Sequence, residues 1–142
     1  MPLKKTKTLS KLKKEADKYF STYIRYRDGE FKRGEWMTEC ITCGVEKPLK
    51  SMQAGHFVSR KVNVLRFDEM NVNAQCVGCN MFKAGEQYLY SKQLDLKYGD
   101  GAADALMARR HETKKFTIGE LEEIIHDSKE SVKFYLKQLD KL

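Results

Sequence analysis

The spacing of apolar residues changes several times along the chain, and each change marks an expected element. Leu12, Ala16, Tyr19, Phe20, Tyr23 and Ile24 recur at steps of three and four, the rhythm of one buried helical stripe. Ser10 can cap that helix, which should run to about residue 28 and stop at Gly29. Over residues 36–84 the rhythm breaks into short runs and turns, with residues 53–60 and 65–67 suited to the two arms of a hairpin. A helix can begin at Cys79 and reach Lys83. Tyr88, Leu89, Leu94 and Leu96 restore the helical period over 87–98, closed by Gly99-Asp100-Gly101, and residues 102–111 predict another short helix. Thr117 and Glu120 form a capping box. Behind them Ile118, Leu121, Ile125, Ser128, Val132, Tyr135, Leu139 and Leu142 make a stripe of about three and a half heptads. It can pair with a second chain, giving a homodimer, or pack on its own domain.

This pattern divides the 142 residues into a basic arm (1–9), a basic helical segment (10–35), a cysteine-bearing centre (36–99) and a C-terminal helical segment (100–142) that could dimerise. The fold class expected is α+β. No run approaches the roughly 20 apolar residues of a membrane span, and the lysine-rich first residues lack the apolar core of a signal peptide. A cytoplasmic protein without a membrane partner is expected.

Charge sharpens the picture. Residues 1–67 carry 16 Lys+Arg against 7 Asp+Glu, whereas residues 68–142 carry 11 against 13. A polyanion-binding front half follows, with branched or duplex DNA the leading candidate and RNA not distinguished by charge alone. Lys11, Lys13, Lys14 and Arg25 on the first helix, and Arg60, Lys61 and Arg66 in the centre, are the candidate phosphate contacts.

The centre holds the clearest chemistry. Cys40 and Cys43, then Cys76 and Cys79, form two C-x-x-C pairs with 32 residues between them. Two residues between thiols let both sulfurs turn to one point, so two pairs supply four thiolates to a tetrahedral Zn²⁺. Two disulfides are the competing reading, which the absence of a secretion signal disfavours. A Cys₄ zinc is coordinatively closed, so its role is structural. Inside the closed segment stands His56, a candidate general base preceded by Gly55, with Asn71 able to orient it. Asn80, just past Cys79, offers a hard oxygen suited to Mg²⁺. His111 and His126 read as exposed, and Trp36, Phe57 and Phe67 as core.

Ala54-Gly55-His56-Phe57, followed by Asn71-Val72-Asn73-Ala74-Gln75-Cys76-Val77-Gly78-Cys79-Asn80, resembles the zinc-braced HNH nucleases (ββα-metal, His-Me finger). His56, Asn71 and Asn80 match that family's order of base, structural asparagine and metal-binding residue. With Gln53, Leu65-Arg66-Phe67-Asp68-Glu69 and Tyr98-Gly99 included, most of the chain is similar to the NinG/Rap recombination proteins of lambdoid phages. The resemblance implies a ββα-metal core flanked by N- and C-terminal helices, a catalytic Mg²⁺ or Mn²⁺, and endonuclease action on branched recombination intermediates such as Holliday junctions. In HNH nucleases an aspartate commonly precedes the base histidine as a metal ligand. Here Gly55 cannot serve, and either Asp68 or Glu69 supplies the carboxylate or water fills the position. The competing function is a non-catalytic zinc module that binds DNA and recruits partners, for which Gly55 is the best support.

Overall fold

The computed structural model describes residues 7–141, so most of the basic arm and Leu142 of the heptad stripe lie outside the described residues. The first helix, α1 (Leu9–Arg27), is capped by Thr8, whose hydroxyl accepts from the Lys11 N–H at 3.2 Å. The cap therefore falls two residues before Ser10, at the residue whose extended backbone suits that position. Asp28 closes the helix, and Gly29 opens a strand instead of ending the helix. A Cβ at Gly29 would lie 2.3 Å from the Met37 carbonyl oxygen, so close strand approach is what requires glycine there.

Strands β1 (Gly29–Lys32) and β2 (Glu35–Glu39) are joined by Arg33-Gly34, both at positive φ, the two-residue turn that matches strand twist. Within the segment grouped as helical (10–35), the residues past the expected stop at Gly29 therefore begin a hairpin. Its strands are short and mostly exposed, so they lack the alternation that would reveal them. With β3 (Glu46–Pro48) they form an antiparallel sheet in the order β1-β2-β3.

A second hairpin lies at the centre. β4 (Met52–His56) pairs antiparallel with β5 (Val72–Cys76), setting Gln53 against Gln75, Gly55 against Asn73 and His56 against Val72. Residues 65–67 are not its second arm. Leu65 and Arg66 belong to the short helix α2 (Asn63–Arg66), and Phe67 caps it. After β5 a single π-helical turn, Gly78–Phe82, stands where a helix from Cys79 to about Lys83 was expected. Left-handed Ala84, Gly85 and Glu86 then reverse the chain.

Helix α3 (Gln87–Tyr98) has the bounds its periodicity predicts, and α4 (Ala102–Ala108) stops three residues early. α5 (Ile118–Leu139) starts at the expected Thr117–Glu120 capping box. The result is a mixed α+β chain whose central hairpin lies between α1 and α3. On one side Phe20 and Ile24 of α1 pack with Val72. On the other, Tyr90 and Leu94 pack with Phe57, Val58 and Leu65. Leu121 and Ile125 of α5 are buried against Leu12 and Ala16 of α1, and Tyr135 lies against Tyr26 and Trp36. The stripe is thus used within the chain over much of its length. Among the described residues no helix is long and apolar enough to cross a membrane.

Candidate functional site

The four cysteines converge. Cys40 and Cys43 sit on the turn between β2 and β3, whereas Cys76 ends β5 and Cys79 lies in the π turn. All are free thiols, and their sulfurs lie within 4.8 Å of one another. The Cys43–Cys76 separation of 3.7 Å is close to the ~3.8 Å edge of a tetrahedron with Zn–S bonds of about 2.3 Å. Each knuckle is shaped by its own backbone: Gly44 N–H donates to the Cys40 carbonyl at 2.9 Å, and Cys79 N–H points to Cys76 Sγ at 3.4 Å. Burial raises the thiols of Cys43 and Cys79, the latter to about 12. Burial opposes Cys40 too, but the Thr42 hydroxyl and nearby N–H groups bring it down to about 6. A divalent ion removes the penalty of ionising all four together. The donor set can hold a zinc ion, and it would tie the three-stranded sheet to the central hairpin.

Beside this centre a cleft of about 440 Å³ opens between α1 and the hairpin, and both His56 and Asn80 line it. His56 is the last residue of β4. Its Nε2 lies 2.9 Å from the Arg66 carbonyl oxygen, which can only accept. Nε2 therefore carries the proton, and Nδ1 is the ring's basic nitrogen. Burial lowers the His56 pKa, with Arg60 and Arg66 pushing the same way against the Arg66 carbonyl and the Asp17 carboxylate. A neutral imidazole at physiological pH follows. Asn80 donates its Nδ2 to Gln53 Oε1 at 2.7 Å, leaving its amide oxygen as the atom able to face a cation.

Asn71 acts through structure. Fully buried, it accepts from the Val58 N–H at 2.8 Å and donates to the carbonyls of Val58 and Leu65, both at 3.0 Å. It ties the chain leaving β4 to α2, the helix that supplies the carbonyl fixing His56. Asn73, its near neighbour in sequence, belongs to a different network. Its Oδ1 accepts from Arg27, Lys97 and Tyr98 beside Asp28. Burial works against Asp28's ionisation, but Arg27, Lys97 and the Ala74 N–H hold its carboxyl below the usual range.

The carboxylates fall otherwise than expected. Asp68 is not brought to the cleft: its Oδ1 accepts from the N–H groups of Met70 and Asn71, and its Oδ2 faces Arg109 at 3.4 Å. It is a turn-forming residue, and Glu69 is exposed. The cleft's carboxylate is Asp17 of α1, which the sequence does not single out because the helix carries it and Glu15 among six basic residues. Arg66 grips it with both Nε, at 3.0 Å, and Nη2. Gly55 has its own reason. A Cβ there would sit 1.8 Å from Gln75 Oε1, on the strand face that alternates with His56. An aspartate at 55 would collide with the fully buried Gln75.

Of the candidate phosphate contacts, Arg25, Arg60 and Arg66 line the cleft together with Lys50. Among its described lining residues, four cations face one carboxylate. Arg25 is also structural, donating to the carbonyls of Ser21 and Leu49. Lys11, Lys14 and Lys61 are exposed. Lys13 instead lies over the Phe116 ring, 5.8 Å from its centroid. His111 and His126 are exposed, as expected.

A family model described as "NinG: Bacteriophage Lambda NinG protein" matches residues 2–140. The chain is similar to "Protein ninG" of Escherichia phage lambda, with 32% identity over 123 residues, 84% of this chain and 55% of that protein. It is 34% identical to "Protein ninG" of Escherichia phage 933W over 110 residues, 75% of this chain and 49% of that one. The chain spans about half the length of the curated relatives it matches. No solved structure matches it.

Proposed function

This chain belongs to the family of the bacteriophage lambda NinG protein, and we propose that it is a metal-dependent DNA endonuclease of the zinc-braced HNH kind, acting on branched recombination intermediates of the Holliday-junction type. The observation that carries the reading is His56: a partly buried, neutral imidazole, locked through Nε2 to the Arg66 carbonyl, in a cationic cleft it shares with Asn80.

Arg60, Lys50 and Arg66 draw the phosphodiester into the cleft, and the Asn71 clamp holds the loop from which His56 takes its orientation. His56 Nδ1 accepts a proton from water as the water oxygen bonds to phosphorus in line. The P–O3′ bond breaks, and the departing 3′ oxygen takes a proton from solvent. Products with 5′-phosphate and 3′-hydroxyl ends result. The Asn80 amide oxygen and the Asp17 carboxylate are hard oxygen donors in one cleft. Mg²⁺ needs only one or two protein ligands beside water and substrate phosphate, so this set suits it or Mn²⁺. Held there by Asn80 and Asp17, such an ion would supply positive charge against the negative charge that builds on the phosphate.

A second reading, a non-catalytic zinc module that binds branched or duplex DNA, is favoured by one observation. Asp17, the only carboxylate among the cleft's described lining residues, is already gripped by Arg66. Cleavage of a labelled four-way junction and of a matching linear duplex, each with Mg²⁺ or EDTA, separates the two. Magnesium-dependent junction cutting that falls roughly 10²–10⁴-fold in His56→Ala, with binding retained, is the result expected. Junction binding without cutting across several divalent ions would instead establish the binding module.

A further inference from the structure

Two large apolar side chains stand in water next to the cleft. Phe82 is 83% exposed and Met81 62%, on the π turn whose first half contains Cys79 and Asn80. Surface phenylalanines on mobile loops need no explanation, but this turn is tied down. Lys83 N–H donates to the Gly78 carbonyl at 2.9 Å and Gly85 N–H to the Cys79 carbonyl at 2.8 Å. Gln53 Nε2 reaches Met81 Sδ at 3.5 Å. Ala84 and Glu86 hold left-handed backbones that side-chain-bearing residues disfavour. The fold thus keeps a strained reversal that holds Phe82 out, anchored to a cysteine of the metal centre.

We infer that Phe82, with Met81 beside it, is a wedge that stacks on an open base face where DNA strands branch, so that this turn selects branched over linear duplex DNA. Charge picks the occupant. Asn80, two residues from Phe82, lines a cleft with Arg25, Lys50, Arg60 and Arg66, and exposed Lys83 follows immediately. An apolar protein partner seated on Phe82 would be brought up against these cations, whereas a nucleic acid offers a base face and phosphates together. A continuous duplex hides its base faces in the stack. A branch point exposes them.

The inference deepens the nuclease reading and rests on it for the DNA ligand, but its test does not need cutting. Anisotropy titrations with Ca²⁺ in place of Mg²⁺ would compare the intact chain with Phe82→Ala and Phe82→Trp, on a four-way junction and a linear duplex of the same sequence. Phe82→Ala should weaken junction binding about tenfold and change duplex binding by less than about twofold, the loss expected for one base–aromatic stack. Phe82→Trp should retain the preference, which excludes a folding defect. An unchanged junction-to-duplex ratio in Phe82→Ala overturns the wedge, as does a wild-type chain that binds both DNAs alike. A chain that prefers junctions through Phe82 yet never cuts them in Mg²⁺ sinks the nuclease reading alone.

Discussion

The cysteine centre and the His56 cleft share a wall of the same hairpin but are built on opposite principles. The centre draws on two local knuckles, each made by residues three apart, and its thiols face one another. The cleft gathers residues from α1, β4, the loop before α2, α2 itself, β5 and the π turn, and among its described lining residues the cations outnumber the one acid. One region is closed on itself; the other is left electrostatically incomplete and open. On the proposed reading, a site for an outside polyanion leaves its own charges unsatisfied, and the closed centre beside it would supply the rigidity that such a site lacks.

The sharpest way to break the comparison is to open the closed half. Cys76→Ser should abolish stoichiometric zinc, measured by mass spectrometry of the purified chain, and unfold the hairpin it anchors. Structural zinc contributes on the order of 10 kcal/mol in small domains, so the thermal transition should disappear or broaden. Retention of a wild-type melting transition without metal would show that the knuckles do not carry the fold.

Next in size is Asn71, which supports the cleft without belonging to it. Asn71→Ala removes three hydrogen bonds from a fully buried side chain, at about 1 kcal/mol net each. A loss of roughly 3 kcal/mol in urea unfolding is expected, with zinc content unchanged. A loss below about 1 kcal/mol would mean that water replaces the clamp.

The acid limb of the pH profile tests the cleft's electrostatics more gently. His56 must be neutral to accept a proton, and its pKa lies below the ordinary histidine value. Cleavage should therefore stay near maximal as pH falls to about 6.5 and decline only below that, about tenfold per further unit. An acid limb above the ordinary histidine value would place His56 in a more anionic setting than this cleft. The smallest effect belongs to the rim. Lys61→Ala, exposed and clear of the cleft's contacts, should weaken DNA binding only a few-fold and reduce the salt slope by about 1. No change in slope would remove Lys61 from the interface.

The same contrast explains what could be read from the chain. The cysteine pairs, α3 and the Thr117 capping box were legible because each is a short-range pattern. β5 was hidden. Its polar Asn73 and Gln75 are as fully buried as Val72 and Ala74, so no alternation announces a strand. Their burial is supported by partners far along the chain: Arg27, Lys97 and Tyr98 for Asn73, Thr42 and Gly85 for Gln75. With β5 unseen, residues 65–67 took its place as the second arm. Asp17 was missed for a related reason. Nothing local to α1 distinguishes it from a solvated acid until Arg66, 49 positions later, turns toward it.

The amino-acid sequence alone determined the thiol chemistry, the identity of the candidate base, the helices with strong periodicity and the basic bias of the front half. These depend on residue type and on spacings of a few positions, which the backbone converts directly into geometry. Only the tertiary structure decided which nitrogen of His56 is basic, which carboxylate shares its cleft, why position 55 must be glycine, and that the α5 stripe packs against α1. Each of those turns on an atom brought from a distant part of the chain, and local pattern carries no record of where such an atom will arrive.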